Sequence, residues 1–214
     1  MSDLFSFDLA DGFASGRCPI CHAVALDERR WLDSFWREGR RDRETRQRFF
    51  AGGGFCPRHA WLLHGLAVEA DAVGAIADVY GGLADRDLTE LDRILGDGMR
   101  RRRKGGGGVL ARAAGCSACV AAMEALGRKV HFLLDLLGSA DGRERYGRSA
   151  GLCLLHLQAA LAAAGDEGET ALYLVRDWRQ RLAVARERLG DVRGSSSDVV
   201  RLYVGDPPPG ANRG

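Results

Sequence analysis

Four short motifs set the architecture of this chain: Cys18-Pro19-Ile20-Cys21, Gly54-Phe55-Cys56-Pro57-Arg58-His59, Cys116-Ser117-Ala118-Cys119 and Gly151-Leu152-Cys153-Leu154-Leu155-His156. The two Cys-x-x-Cys motifs are separated by an offset of 98, and the two Cys-x-x-His motifs by an offset of 97. A further match at 97 pairs Arg46-Gln47-Arg48-Phe49 with Arg143-Glu144-Arg145-Tyr146. All six cysteines and two of the five histidines lie in the matched motifs. The sequence therefore contains an internal repeat.

The spacing of apolar residues predicts helices. One such series steps by three and four residues, as one face of a helix requires: Met123, Leu126, Val130, Leu133 and Leu137. Period-2 alternation is short wherever it occurs. We therefore predict an all-α fold of two tandem helical repeats, each closed by a metal site of three cysteines and one histidine. In each repeat a helix follows the Cys-x-x-Cys, a short polar helix precedes the glycines, a third opens at the Cys-x-x-His, and a long helix closes the unit.

Composition places the boundaries between these repeats. A glycine-rich stretch surrounds five consecutive basic residues, Arg100 to Lys104, and such sequence is typical of a solvated connector. The prediction is an N-terminal arm at 1–16, repeat 1 at 17–95, a linker at 96–114, repeat 2 at 115–204 and a flexible tail at 205–214. The basic run also suggests nucleic-acid binding, but it lacks the interleaved aromatic residues that stack on bases.

The matched motifs have the chemistry of metal ligands. A structural zinc site takes four Cys or His ligands in a tetrahedron, and two ligands three residues apart at the start of a helix can chelate one ion. The candidate ligands are Cys18, Cys21, Cys56, His59, Cys116, Cys119, Cys153 and His156. Two Zn²⁺ per chain are expected. Near-equal internal spacing favours closure within each repeat, although pairing across the repeats is permitted.

Other cofactors compete for the same residues. Cys18 to His22 matches the Cys-x-x-Cys-His pattern of haem attachment, but Val120 replaces the histidine in repeat 2. An iron–sulfur cluster is chemically compatible with three thiolates and an imidazole. A redox-active dithiol is a further alternative, which lacks its usual βαβ surroundings.

Charge and apolar runs limit the classes of function that the sequence favours. The net charge of +2 argues against a strongly cationic nucleic-acid binder. The N-terminus lacks a secretory pattern and no run is apolar enough to span a membrane, so a cytoplasmic location is expected. No catalytic constellation is evident. Asp27 and Glu28 are interpreted as solvated charges, and the four tryptophans as core residues: Trp31, Trp36, Trp61 and Trp178.

Over Cys18 to Leu189 the chain resembles an uncharacterised bacterial family with duplicated Cys-Pro-x-Cys and Gly-Phe-Cys-x-x-His motifs. The resemblance implies a helical protein with the eight ligands at matching positions, and it implies no activity. Ser117 departs from the family's usual proline. Taken together, the sequence predicts a non-enzymatic zinc-binding helical protein that acts as a structural or regulatory interaction module with an unidentified protein partner. The alternatives are an iron–sulfur or thiol-redox protein and, third, a nucleic-acid binder.

Overall fold

A computed structural model describes residues 3–97, 115–165, 168–189 and 196–205. Within these ranges the chain forms helices and no strand, which confirms the all-α class. The elements are α1 (Asp3–Ala14), α2 (Pro19–Ser34), a π-helical segment (Phe35–Gly39), α3 (Arg43–Ala51), α4 (Pro57–Glu69), α5 (Val73–Asp97), α6 (Ser117–Leu137), α7 (Ala140–Gly147), α8 (Leu154–Ala164), α9 (Glu169–Leu189) and α10 (Ser196–Val204).

The predicted N-terminal arm contains helix α1. Most of the predicted linker, including its basic run, and residues 206–214 of the predicted tail lie outside the described residues. None of the described helices combines enough length and apolarity to span a lipid bilayer.

Local sequence explains where the helices begin. Asp42 caps α3 by accepting a hydrogen bond from the Thr45 backbone N–H at 2.8 Å. Ser139 caps α7 in the same way, with the Gly142 N–H as donor at 3.0 Å. Such caps satisfy backbone donors that the first helical turn leaves unpaired. Pro57 stands at the first position of α4, where its fixed φ suits a helix and its missing N–H costs nothing.

The helix starts follow the offsets found in the sequence. Helix α2 begins at Pro19 and α6 at Ser117, 98 positions later. Helices α3 and α7 begin at Arg43 and Ala140, 97 positions apart, and the starts of α4 and α8 are also 97 apart. The same series of helices thus occurs twice, in the predicted order.

The chain divides into two compact units. Unit 1 comprises Met1–Asp27 with Glu124–Gly214, and unit 2 comprises Glu28–Met123. The divisions fall inside α2 and α6, so these units differ from the repeats predicted at 17–95 and 115–204. Each unit includes the Cys-x-x-Cys of one repeat and the Cys-x-x-His of the other.

Unit 2 is built around aromatic side chains. The Phe55 ring packs edge-on at centroid distances of 4.8 Å from Phe35 and 5.0 Å from Phe49, a geometry that aromatic quadrupoles favour. Leu63 from α4 and Leu83 from α5 are buried in the same cluster. Because Phe55 directly precedes Cys56, this core fixes the chain where α4 and its ligand pair begin.

Unit 1 has an aliphatic core closed by one tyrosine. Leu133, Leu137 and Leu152 are fully buried there, together with Tyr146. The Tyr146 hydroxyl accepts a hydrogen bond from the Leu152 backbone N–H at 3.3 Å. Leu152 directly precedes Cys153, so the tyrosine anchors the chain where α8 and the second ligand pair begin.

Two expectations about burial are wrong. Trp61 is 71% exposed, whereas Trp31, Trp36 and Trp178 pack against the cores as expected. Met123 is 66% exposed although it begins the apolar series of α6. The periodicity shows which residues share a helix face. It does not show how much of that face the neighbouring helices cover.

Candidate metal centres

Cysteine and histidine side chains converge at two places. Group 1 contains Cys18, Cys21, Cys153 and His156, and group 2 contains Cys56, His59, Cys116 and Cys119. Within each group the four ligand atoms all lie within 4.8 Å of one another. Every one of the eight predicted ligands is therefore brought into one of two four-membered sets, each of which could hold a metal ion.

Group 1 lies in unit 1. The Nδ1 atom of His156 is 3.4 Å from the sulfur of Cys18 and 3.3 Å from the sulfurs of Cys21 and Cys153. The Cys21 and Cys153 sulfurs are 3.8 Å apart. Cys18 and Cys153 are buried, and the other two residues are half-buried.

Group 2 lies in unit 2 and repeats this geometry. The Nδ1 atom of His59 is 3.2 Å from the sulfur of Cys56, 3.5 Å from that of Cys116 and 3.4 Å from that of Cys119. The Cys56 and Cys119 sulfurs are 3.7 Å apart. His59 is buried, whereas Cys119 is exposed, so group 2 is the more accessible of the two.

These distances fit four ligands around one ion. With Zn–S about 2.3 Å and Zn–N about 2.0–2.1 Å, a regular tetrahedron places two sulfurs about 3.8 Å apart and a sulfur and a nitrogen about 3.6 Å apart. The sulfur–sulfur distances match these values, and the sulfur–nitrogen distances are slightly shorter. Both histidines direct Nδ1 at the thiols, which leaves Nε2 to interact with the surroundings.

Backbone geometry brings each Cys-x-x-His to its group. Cys56 and Cys153 occupy the N-cap positions of α4 and α8, so the histidine three residues later lies on the first helical turn. Gly54 and Gly151 adopt positive φ values of +89° and +76°, which glycine accepts without steric penalty. The chain can therefore turn tightly into each helix at these two positions.

The pairing of the half-sites crosses the repeats. Each Cys-x-x-Cys joins the Cys-x-x-His of the other repeat, so the expected closure within each repeat is corrected. The reason lies in long-range packing. Ile20, between the cysteines of the first motif, is fully buried in the cluster that contains Leu152 and Leu157 on either side of Cys153. Chain spacing alone does not predict which Cys-x-x-Cys joins which Cys-x-x-His, because the spacing is nearly the same in both repeats.

Group 2 has a carboxylate partner that the sequence analysis misinterpreted. Glu28 is buried, with 6% of its surface exposed, and is not a solvated charge. Its Oε1 atom is 3.4 Å from Nε2 of His59, and its Oε2 atom accepts a hydrogen bond from Arg58. A carboxylate on the outer nitrogen of a ligating histidine fixes the tautomer and orientation of the ring. Among the described residues group 1 shows no such carboxylate, and Leu126 stands at the position 98 residues after Glu28.

Group 1 is instead covered by backbone. Gly205, which follows α10, is buried, and a Cβ atom added there would lie 2.8 Å from the Cys21 sulfur and 3.4 Å from the Cys153 sulfur. Only a glycine allows the backbone this close to the thiols. The end of α10 therefore shields group 1 from solvent.

Hydrogen bonding shifts the pKa values in group 2. The hydrogen bond to Glu28 is the main reason that the pKa of His59 rises to about 9, and the neighbouring thiols add to it against the effect of burial. Burial raises the pKa of Cys119 to about 12, with contributions from the Cys56 and Cys116 thiols. Burial also acts to raise the pKa of Cys56, but hydrogen bonds from His59 and Cys119 outweigh it and lower the value to about 7.

In group 1, too, the pKa of one thiol is raised, that of another is lowered and that of the histidine is raised. Burial holds the pKa of Cys18 well above its usual value, and hydrogen bonds from Cys18 and Cys21 hold that of Cys153 far below it. Burial acts to lower the pKa of His156, but the adjoining thiolates outweigh it and raise the value to about 9. Without a metal, each group thus retains protons that a bound cation must displace.

A second buried charge was also missed. Lys129 of α6 is fully buried, and its Nζ atom lies 2.6 Å from Oδ2 of Asp8 and 3.4 Å from Oδ2 of Asp27. A sequence signal exists for both buried charges. Glu28 precedes Trp31 and Leu32 by three and four residues, and Lys129 lies at the same spacings from Leu126 and Leu133. Each charged residue interrupts an apolar helix face and is therefore directed inward.

Comparison of the chain with protein-family models, with curated proteins and with solved structures finds no match in any of the three. The resemblance to an uncharacterised bacterial family stays a prediction.

Proposed function

We propose that this chain is a non-enzymatic zinc protein in which two Zn²⁺ ions hold the helices together, one in each group. The observation that carries the proposal is the convergence of four ligand atoms within 4.8 Å in both groups. Each ion would be bound by three thiolates and one imidazole nitrogen, the donor set of structural zinc sites. The ion would join the start of one helix to the start of another that is distant in sequence.

The geometry favours one ion over an iron–sulfur cluster. In a cluster of several irons the ligands are distributed over different metal atoms, which separates them further than ligands of a single ion. Here the sulfur–sulfur distances of 3.8 Å between Cys21 and Cys153 and 3.7 Å between Cys56 and Cys119 equal the edge of one tetrahedron. Tetrahedral sites of thiolate and imidazole suit Zn²⁺ best among the common divalent ions.

A structural role fits the ligand count. Catalytic zinc sites use three protein ligands and keep a fourth position open for water or substrate. Each group supplies four ligands, and group 1 is covered by the backbone at Gly205. Metal-binding free energy in such sites is on the order of 10 kcal/mol and is coupled to folding. The ions would therefore contribute mainly to stability.

Exposed apolar side chains support the role of an interaction module. Trp61 and Val68 on α4 are 71% and 53% exposed, and Leu88 and Leu95 on α5 are 56% and 81% exposed. Each pair is seven residues apart and so lies along one helix face. Exposed apolar surface of this kind is typical of protein contacts. A protein partner in the cytoplasm is therefore part of the proposal, while nucleic-acid binding by the basic run stays a prediction outside the described residues.

Metal quantification tests the zinc proposal. Protein purified without oxygen should contain about two zinc ions per chain and show no visible absorption. Replacement of a ligand, Cys116→Ser, should lower the zinc content to about one. The control His64→Ala removes a histidine of α4 that belongs to neither group and should retain two. Brown protein with stoichiometric iron would favour the iron–sulfur alternative, and a folded, metal-free protein would refute metal binding altogether.

A further inference from the structure

Unit 1 contains a cavity of about 710 Å³ that neither metal group requires. It opens between the loop before α2, the loop that joins α7 to α8, helix α9 and helix α10. Its volume lies within the range of about 300–1,000 Å³ that is typical of small-molecule sites. The sulfur-bearing residues Cys18 and Cys153 of group 1 form part of one wall.

Arginine dominates the charge of this cavity. Four arginines line it, Arg17, Arg176, Arg181 and Arg201, against the single carboxylate of Asp177, a formal net charge of +3. The lining therefore carries more basic than acidic side chains.

Two of these arginines, Arg181 and Arg176, differ in their contacts. Arg181 is held in place, because its Nε donates to Asp177 at 2.7 Å and its two other nitrogens donate to the Ser149 and Gly147 carbonyls. Arg176 lies five residues earlier on α9 and forms no ion pair with any residue that the structure describes. A guanidinium in this position can offer a planar fork of donors to a phosphate.

The rest of the lining combines one polar side chain, Gln180, with an apolar wall. Val184 and Leu202 contribute aliphatic surface to this wall, and Tyr173 contributes a half-buried ring. The Tyr173 hydroxyl is already used, since it donates to the Arg143 carbonyl at 3.0 Å. The Arg143 guanidinium also lies over the ring, 5.4 Å from its centroid, so Tyr173 contributes aromatic surface to the lining.

From this combination we infer that the cavity of unit 1 binds a small phosphorylated molecule with an organic body of nucleotide size, whose phosphate is bound by Arg176 and whose body lies against the apolar wall. A free phosphate or diphosphate would occupy only a small part of 710 Å³. The inference does not depend on the identity of the metal.

Calorimetric titration of the full, metal-loaded chain with ADP, adenosine and inorganic pyrophosphate tests this inference. ADP should bind most tightly, pyrophosphate more weakly and adenosine least, and ADP binding should weaken as salt is raised. Arg176→Ala should weaken ADP binding by about tenfold or more, since a charge-assisted hydrogen bond is lost. The control Arg179→Ala removes an exposed arginine of α9 that does not line the cavity and should bind like the unaltered chain.

Three results would overturn the inference. The first is the absence of a heat signal from both ADP and pyrophosphate at low salt. The second is adenosine binding as tight as that of ADP, and the third is unchanged ADP binding by Arg176→Ala. Zinc content and circular dichroism of each variant establish that it is folded. Because Arg176 is exposed on α9, both should stay at the values of the unaltered chain.

Discussion

Replacement of the buried lysine should destabilise unit 1 strongly. Lys129 is fully buried, and its ammonium group neutralises Asp8, whose side chain is only 5% exposed, at 2.6 Å. Asp27 lies at 3.4 Å from the same nitrogen. In the variant Lys129→Met the apolar stem is retained while both carboxylates lose their common cation. Leaving one partner of a buried ion pair uncompensated costs about 3–5 kcal/mol.

The effect is measurable by chemical denaturation followed by circular dichroism, at one fixed concentration of free zinc because metal binding stabilises the folded chain. For a chain of this length, 3–5 kcal/mol corresponds to a fall in Tm of roughly 6–20 °C. The neighbouring Arg128 is exposed on the same helix, and Arg128→Met should change stability by less than about 0.5 kcal/mol. If the free energy of unfolding of Lys129→Met lies within about 1 kcal/mol of that of the unaltered chain, the assigned ion pair is refuted.

The other predictions concern the metal groups. Glu28→Gln should weaken metal binding in group 2 by about 10–100-fold, because the outer partner of a ligating histidine is lost; competition with a chelator measures this, and the exposed Glu124→Gln is the control. Gly205→Ala should speed metal release from group 1 only, since its Cβ would lie 2.8 Å from the Cys21 sulfur, and equal acceleration at both groups would contradict the assignment. Acid should release metal from both groups, because protons compete with the metal for the thiolates. The pKa of Cys119 is raised to about 12 in the metal-free chain, so the apparent affinity for metal should increase with pH. A metal affinity that does not change between pH 5 and 8 would contradict this prediction.

The members of the two cysteine–histidine groups and the helices were predictable because their signals are local and occur twice. Cys56 and His59 are three residues apart at a helix start, so one helical turn places their side chains on the same face. Cys153 and His156 have the same spacing in the second repeat. The same reasoning placed α2 to α9 in the right order. Helical periodicity also identified the buried residues Val130, Leu133 and Leu137 correctly.

Pairing and buried charge were not predictable in the same way. Whether Cys18 joins Cys56 or Cys153 depends on which apolar surfaces bury one another, and both arrangements satisfy the same chain spacings. Glu28 has no counterpart in repeat 2, so the comparison of repeats does not identify it, and it was interpreted as a solvated charge. Its position on an apolar helix face was the available signal, and the same signal would have identified Lys129.

The crossed pairing of the half-sites can be tested by counting metal ions in two double variants. Cys18→Ser with Cys153→Ser removes two ligands from group 1 alone, so this variant should retain about one metal ion per chain in group 2. Cys18→Ser with Cys56→Ser removes one ligand from each group, so this variant should lose both ions. The opposite pattern, with one ion retained in the second variant and none in the first, would show that each repeat closes on itself and would contradict the structure.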